Sequence, residues 1–294
     1  MKTMIVVGLI VSASGCAIDE GDEMAPEVGV TEHELNGWLS ASWGTTSDLV
    51  GLDTGLSATT TTCVLSMVRG DLGEGGYWQS TDVVSGADVS PKNGNWFLYG
   101  HGGAYTNQVN QRVWANNKVN AGASCALYPK LPVSQPTWRS ANGYVTLPQK
   151  LAPLATNRRC FLGAIYGGGQ IFTHASDYVR VRPYTTTDAT HPTTGWYVEG
   201  SLKSNPYSGQ PASASGTCID FPAIEGEWGG SFGDATYTLT TGTGTKMCGL
   251  QGVYGAFNVD SWDNGVKITA PSTLTGNWTM TVSPGKWGEA TCIQ

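Results

Sequence analysis

The sequence predicts an all-β protein built from three tandem disulfide-stapled β units. Three observations carry that prediction. Glycine is very abundant, at 40 of 294 residues, and only 13% of residues are charged. Short apolar runs separated by Gly, Ser, Thr and Asn suit strands and turns, not helix bundles. The phrase "CFLGAIYG" at 160–167 returns as "CVLSMVRG" at 63–70 and "CGLQGVYG" at 248–255, a shared C-x-L-x-x-[VI]-x-G. Each of these is followed by a second cysteine that closes [AG]-[ST]-C, at 123–125, 216–218 and 290–292.

The N-terminal segment has its own logic. Lys2 precedes an apolar run from Met4 to Val11, followed by small residues and Cys16. A run that short reads as a signal peptide over 1–15, since a membrane-spanning helix needs about 20 apolar residues. The stretch Ala13-Ser14-Gly15-Cys16 resembles the lipobox of bacterial lipoproteins. The resemblance implies a lipidated Cys16 as mature N-terminus and, from Ala17 behind it, sorting to the outer membrane or cell surface. Without the lipid, the same signal implies free secretion.

Residues 16–37 read as an acidic flexible tether. Seven of the 23 acids lie in 17–36: Asp19, Glu20, Asp22, Glu23, Glu27, Glu32 and Glu34. With Lys2 set aside, the remaining 16 acids face 15 bases, so the net charge of −7 belongs to the tether. Such a segment buries too little apolar surface to fold alone. "TEHE" at 31–34 has the spacing of a cap on one short helical turn. No basic stripe marks a nucleic-acid partner.

The repeat then organises the rest into 38–128, 129–221 (opening on a linker) and 222–294 (likewise). Its six cysteines predict Cys63–Cys125, Cys160–Cys218 and Cys248–Cys292, because equivalent units should close equivalent bridges. Loops of this length stabilise by roughly 4 kcal/mol each in the chain-entropy model. An exported chain meets the oxidising compartment such bonds need. Between the cysteines lie Gly94 with Trp96, Gly195 with Trp196 and Gly276 with Trp278. Trp43, Trp138 and Trp228 precede the first cysteines by 20, 22 and 20 residues. All six tryptophans are expected in the core.

Within a unit the runs are strand-like. "TCVLSMV" leads to alternating segments such as "DYVRVRP" and "GVKITAP". Then come "GNWFLYG" and its partners, and a closing strand such as "GEATCIQ". With "YVTLP" or "YTLTT" ahead of the first cysteine, each unit has about five strands. The units could follow one another as beads on a string or pack about a pseudo-threefold axis, and the short linkers favour the packed arrangement.

Chemical motifs are sparse. "GHGGAY" at 100–105 resembles an esterase oxyanion-hole segment, but no G-x-S-x-G nucleophile elbow accompanies it. It reads as a glycine turn after a strand. The four histidines, His33, His101, His174 and His191, show no metal-ligand spacing. Gly167-Gly168-Gly169 and "DSWDNG" at 260–265 read as turns. No cofactor or metal is expected.

Aromatic residues are more informative. Trp78 and Trp262 lie 15 and 14 residues after their units' first cysteines, and His174 occupies the matching place in the second unit. All three sit in polar loops. Either they stack on sugar rings while neighbouring polar groups bond hydroxyls, or they cover the end of the core. The predicted function is non-catalytic binding of an extracellular glycan or surface partner through Trp78, His174 and Trp262. A hydrolase of an extracellular polymer and a structural envelope or filament component are the alternatives.

Overall fold

The computed structural model describes residues 29–33, 38–45, 51–73, 84–107, 109, 111–114, 118–128, 137–139, 147–167, 172–201, 212–240, 245, 247–259, 261–272 and 276–294. The described residues contain strands and no helix. The first repeat supplies β1 (Gly29–His33), β2 (Trp38–Thr45), β3 (Leu52–Ser57), β4 (Thr62–Gly70), β5 (Gly86–Lys92), β6 (Asn95–His101), β7 (Ala104–Thr106), β8 (Arg112–Trp114) and β9 (Val119–Ala126). The second supplies β10 (Thr137–Arg139), β11 (Gln149–Ala152), β12 (Arg158–Tyr166), β13 (Tyr178–Tyr184), β14 (Gly195–Ser201) and β15 (Ser213–Asp220). The third supplies β16 (Glu227–Gly233), β17 (Thr236–Thr238), β18 (Met247–Gly255), β19 (Gly265–Thr269), β20 (Thr279–Val282) and β21 (Lys286–Ile293).

The expected units of about five strands have six repeated strand positions, since the segment around the leading tryptophan is itself a strand (β2, β10 or β16). One expectation needs correcting. Residues 31–33 form no helical turn. They belong to β1, which pairs antiparallel with β2 from Gly29–Ser42 to His33–Trp38.

The six positions can be lettered a to f: β2, β10 and β16 at a; β3, β11 and β17 at b; β4, β12 and β18 at c; β5, β13 and β19 at d; β6, β14 and β20 at e; β9, β15 and β21 at f. In every repeat a pairs with f and f with c. Likewise d pairs with e and e with b. Apart from a single bridge between β2 and β6 in the first repeat, the two halves of a repeat do not pair with each other. Strand c pairs instead with strand d of the preceding repeat: β12 with β5, β18 with β13 and β4 with β19. The last pairing joins the first repeat to the third and closes the ring. The result is three antiparallel six-stranded sheets, each shared between two repeats: β2-β9-β4-β19-β20-β17, β10-β15-β12-β5-β6-β3 and β16-β21-β18-β13-β14-β11. One parallel bridge, Thr45–His101, links the first two. A small β7–β8 hairpin lies beside them.

The repeated motif residues explain this geometry. The three c strands all carry a bulge at the same place, at Ser66, Gly163 and Gln251. Ahead of the bulge, strand c pairs only with f. Beyond it, c also meets d of the neighbouring repeat. A bulge bends a strand and sharpens its twist, which lets one strand serve two partners. The motif's closing glycine is forced. Gly70 and Gly255 have φ of +99° and +108°, and a Cβ on Gly70 would lie 1.9 Å from the Lys118 carbonyl oxygen.

The c strands touch one another around the axis. At one end Val64 and Phe161 meet where the third repeat has Gly249. A Cβ on Gly249 would lie 2.7 Å from a carbon of each. One large, one medium and one absent side chain thus fill a threefold position. At the other end Leu72, Phe172 and Phe257 form a fully buried plug. The Leu72 N–H donates to the Phe257 carbonyl at 2.7 Å, and the Phe257 N–H donates to Phe172 at 2.6 Å.

The disulfides are Cys63–Cys125, Cys160–Cys218 and Cys248–Cys292. Each joins directly opposed residues of c and f, with Cα atoms 4.0 Å apart. They lie in one continuous core with Trp96, Trp196 and Trp278, all buried as expected. The Trp96 indole N–H donates to the Thr61 carbonyl at 2.9 Å.

The leading tryptophans divide differently. Trp43 pairs with Ala121 and Trp138 with Ala214, each four residues before the second cysteine. In the third repeat that register belongs to Phe232, opposite Gly288, and Phe232 packs against the core. Trp228 instead pairs with Cys292 itself and is 38% exposed. Its expected burial is overturned. The side chains of Trp43 and Trp138 fall outside the described residues.

Candidate functional site

The connections from c to d carry the three loop positions singled out in the sequence. Leu72, Phe172 and Phe257 belong to these connections, so the plug brings the described parts of the connections together at one end. Trp78 lies outside the described residues. His174 is exposed, and its Nδ1 is 2.8 Å from the Ser176 hydroxyl. Trp262 is only 9% exposed, and its buried indole N–H has no hydrogen-bond partner among the described residues. Its ring covers the core and offers no open face to a sugar. Beside it Asp263 pairs with Arg69 at 2.8 Å.

A denser constellation lies on the outer face of the third sheet, where repeats two and three join. The alternation of a strand dictates its composition. From Cys292 inward, Ala290 and Gly288 face the core, so Thr291, Glu289 and Trp287 face out. On β18, Leu250 and Val253 are core residues, which turns Gly252 and Tyr254 outward. On β13, buried Val179 and Val181 leave Tyr178, Arg180 and Arg182 outside.

Register assembles these into rows. One row holds Trp287, Tyr254 and Tyr178, cross-strand neighbours on β21, β18 and β13. The next runs Ser231, Glu289, Gly252, Arg180 and Glu199. Tyr254 and Tyr178 stack with ring centroids 5.3 Å apart. Trp287 is 52% exposed. Its ring lies against Gly233, where a Cβ would come within 2.8 Å of the indole. One face of the indole is therefore seated on backbone and the other is open.

Beside this row is a groove of about 500 Å³, lined in part by Arg182, Glu227, Ser231, Gln251, Glu289 and Thr291. Gly229 and Gly230 of β16 also line it. Its polar groups are held in place. The Gln251 amide donates to the Cys160 carbonyl at 3.2 Å, and its oxygen accepts from the Thr291 hydroxyl at 2.7 Å. Gln251 is the bulge residue of the third repeat, so the bulge aims it across to the second.

The charges are paired throughout. Glu289 accepts from Arg182 and, at 2.5 Å, from the Tyr254 hydroxyl. Arg180 donates to Glu199 at 2.5 Å, and Tyr184 donates to the same oxygen at 2.7 Å. His191 positions this group. Its Nε2 is 3.2 Å from Glu199, its Nδ1 is 3.1 Å from Asp188, and its ring stacks on Tyr184 at 3.5 Å. Burial and the neighbouring Glu289 push the Tyr254 hydroxyl up to about 12. Burial and Glu199 do the same for Tyr184, also to about 12. Burial works against the Glu199 charge, but the hydrogen bonds from Tyr184 and Arg180 outweigh it and lower its pKa. The result is a face of fixed, ionised and hydrogen-bonded groups around an open indole.

The equivalent faces differ. The second junction places Ser213, Tyr166 and Gly86 where the third has Trp287, Tyr254 and Tyr178, and Asp88 where it has Arg180. The first places Asn120, Arg69 and Gly265 in the aromatic row, and Lys267 at the Arg180 position. No protein-family model matches the chain, and no curated protein matches it.

The sequence reading missed this face. The signal was present in "KWGEATC", where counting by twos from Cys292 turns Trp287 and Glu289 outward. The partners on β13 come from another repeat, and no local pattern announces that pairing.

Proposed function

We propose that this protein binds an extracellular glycan, without transforming it, through the outer face of the third sheet. The observation that carries the reading is Trp287, an indole with one face on Gly233 and the other open, beside a polar groove whose groups are fixed by internal bonds. An open aromatic face suits the apolar side of a pyranose ring, and nearby amide, hydroxyl and carboxylate groups suit its hydroxyls. Fixing those groups beforehand lowers the ordering cost of binding. Glu199, held ionised at neutral pH, has the character of an acceptor and not of a general acid.

The cellular setting follows from the sequence reading. The protein is exported, retained by lipid on Cys16 at the outer membrane or cell surface, and held off it by the acidic stretch ahead of β1. Three buried disulfides are consistent with an exported protein. Two measurements test the proposal. A glycan array probed with the mature protein should give signals that a Trp287→Ala variant loses. Membrane fractions should lose a Cys16→Ala variant. An array silent for wild type, or unchanged by Trp287→Ala, would remove the third sheet as a glycan site.

A further inference from the structure

The third junction also constrains which glycans fit. We infer that it selects neutral, linear polysaccharide chains and reads several sugar units laid along β16. This rests on the glycan reading above.

The first argument is charge. An acidic polysaccharide needs cations to receive its carboxylates or sulfates, and among the described residues the arginines on this side of the molecule are already engaged. Arg182 bonds Glu289 and Arg180 bonds Glu199. Arg159, next to the groove, forms a two-pronged pair with Glu227, at 2.8 and 2.6 Å. Lys150 lies on β11 at the far edge of the sheet and donates to Thr193. The groove itself is lined by one arginine and two glutamates, Glu227 and Glu289. An anionic sugar would have to break an existing pair and then sit beside the released carboxylate. A neutral sugar bonds the exposed edges of the same pairs and leaves them intact.

The second argument is length. Gly233, beneath Trp287, and Glu227, at the far end of the groove, are six residues apart on β16, a span of about 20 Å at strand rise. That is longer than any single sugar ring. Gly229 adds no side chain to the outer path between them, which is left to Ser231. A chain stacked on Trp287 therefore continues over Ser231 and Glu289 towards Thr291 and Glu227.

The test is affinity electrophoresis and calorimetry on the mature full-length protein. The probes are neutral xylan, mannan and soluble β-glucan, and acidic polygalacturonate, alginate and heparin. At least one neutral polymer should bind, through Trp287, at least about tenfold more tightly than any acidic one, a difference of about 1.4 kcal/mol. Within the bound class, affinity should rise at least about tenfold from disaccharide to tetrasaccharide. A Glu289→Gln variant weakens the hold on Arg182 and should narrow the preference for neutral chains. Acidic polymers bound as tightly as neutral ones, with binding lost in Trp287→Ala, would overturn the charge selection while leaving the glycan site standing. Disaccharides bound as tightly as tetrasaccharides would overturn the length. Binding indifferent to Trp287→Ala, or absent altogether, would instead sink the glycan site itself.

Discussion

The second and third junctions share one backbone plan and almost none of their outer chemistry. In each, three residues of strand c pair with three of strand d from the preceding repeat. Each c strand has its bulge, its buried leucine and its disulfide. Yet the second junction presents Ser213, Tyr166, Gly86 and Asp88 outward, where the third presents Trp287, Tyr254, Tyr178 and Arg180. The threefold pattern is kept where side chains face the shared core, because cysteine, leucine and tryptophan there must fit one another. Outside, each face answers only to solvent and ligand, so the faces are free to differ. The three faces therefore differ from one another, and the proposed site lies on the one that carries the exposed indole.

The sharpest contrast between inside and outside is set by two tryptophans. Trp96→Ala empties a fully buried site that also satisfies the Thr61 carbonyl, and should cost about 3–5 kcal/mol in denaturant unfolding. Trp287→Ala removes a side chain that is half exposed, and should cost less than about 1 kcal/mol. Similar losses for the two would mean that Trp287 is a structural residue.

A smaller effect probes the axis. Gly249→Val drives a branched side chain into Val64 and Phe161 and should cost about 1–3 kcal/mol. Adding Phe161→Val frees room and should recover part of that loss, a non-additivity expected of residues in contact. Strict additivity would deny that the three positions share one space.

A further effect probes the bonded hydroxyls of the third face by pH. Tyr184 and Tyr254 have pKa values pushed up to about 12, against about 10 in an unfolded chain. Their folded state holds protons that the unfolded state releases. The resulting stability is complete below about pH 10 and is lost as pH rises towards about 12. A Tyr184→Phe, Tyr254→Phe variant should show a shallower loss across that window in pH-jump unfolding. An unchanged slope would mean that these hydroxyls are not bound as described.

How much of this was legible differs by residue. The three bridges and the burial of Trp96, Trp196 and Trp278 could be read directly, because a repeat multiplies each signal by three. Trp228 misled for a physical reason. Its distance from Cys248 matches that of Trp43 from Cys63, but β16 is displaced by four residues along β21. Phe232 takes the core position, and sequence spacing does not encode strand register. The exchange of strand d between repeats was equally invisible, since pairing across repeats leaves no mark in local alternation. That exchange also hid the candidate face, half of which belongs to each repeat. The c-to-d loops drew attention because they are polar and carry aromatics, but the indole of Trp262 is spent on covering the core.

The central claim is that one face of three carries binding. The direct measurement is calorimetric titration of the mature protein with the polysaccharide that binds best, comparing Trp287→Ala with Asn120→Ala and Ser213→Ala, the same register position in the other two sheets. Trp287→Ala should weaken binding at least about tenfold, or about 1.4 kcal/mol, with the other two variants unchanged. Equal weakening by all three, or none by Trp287→Ala, would contradict it.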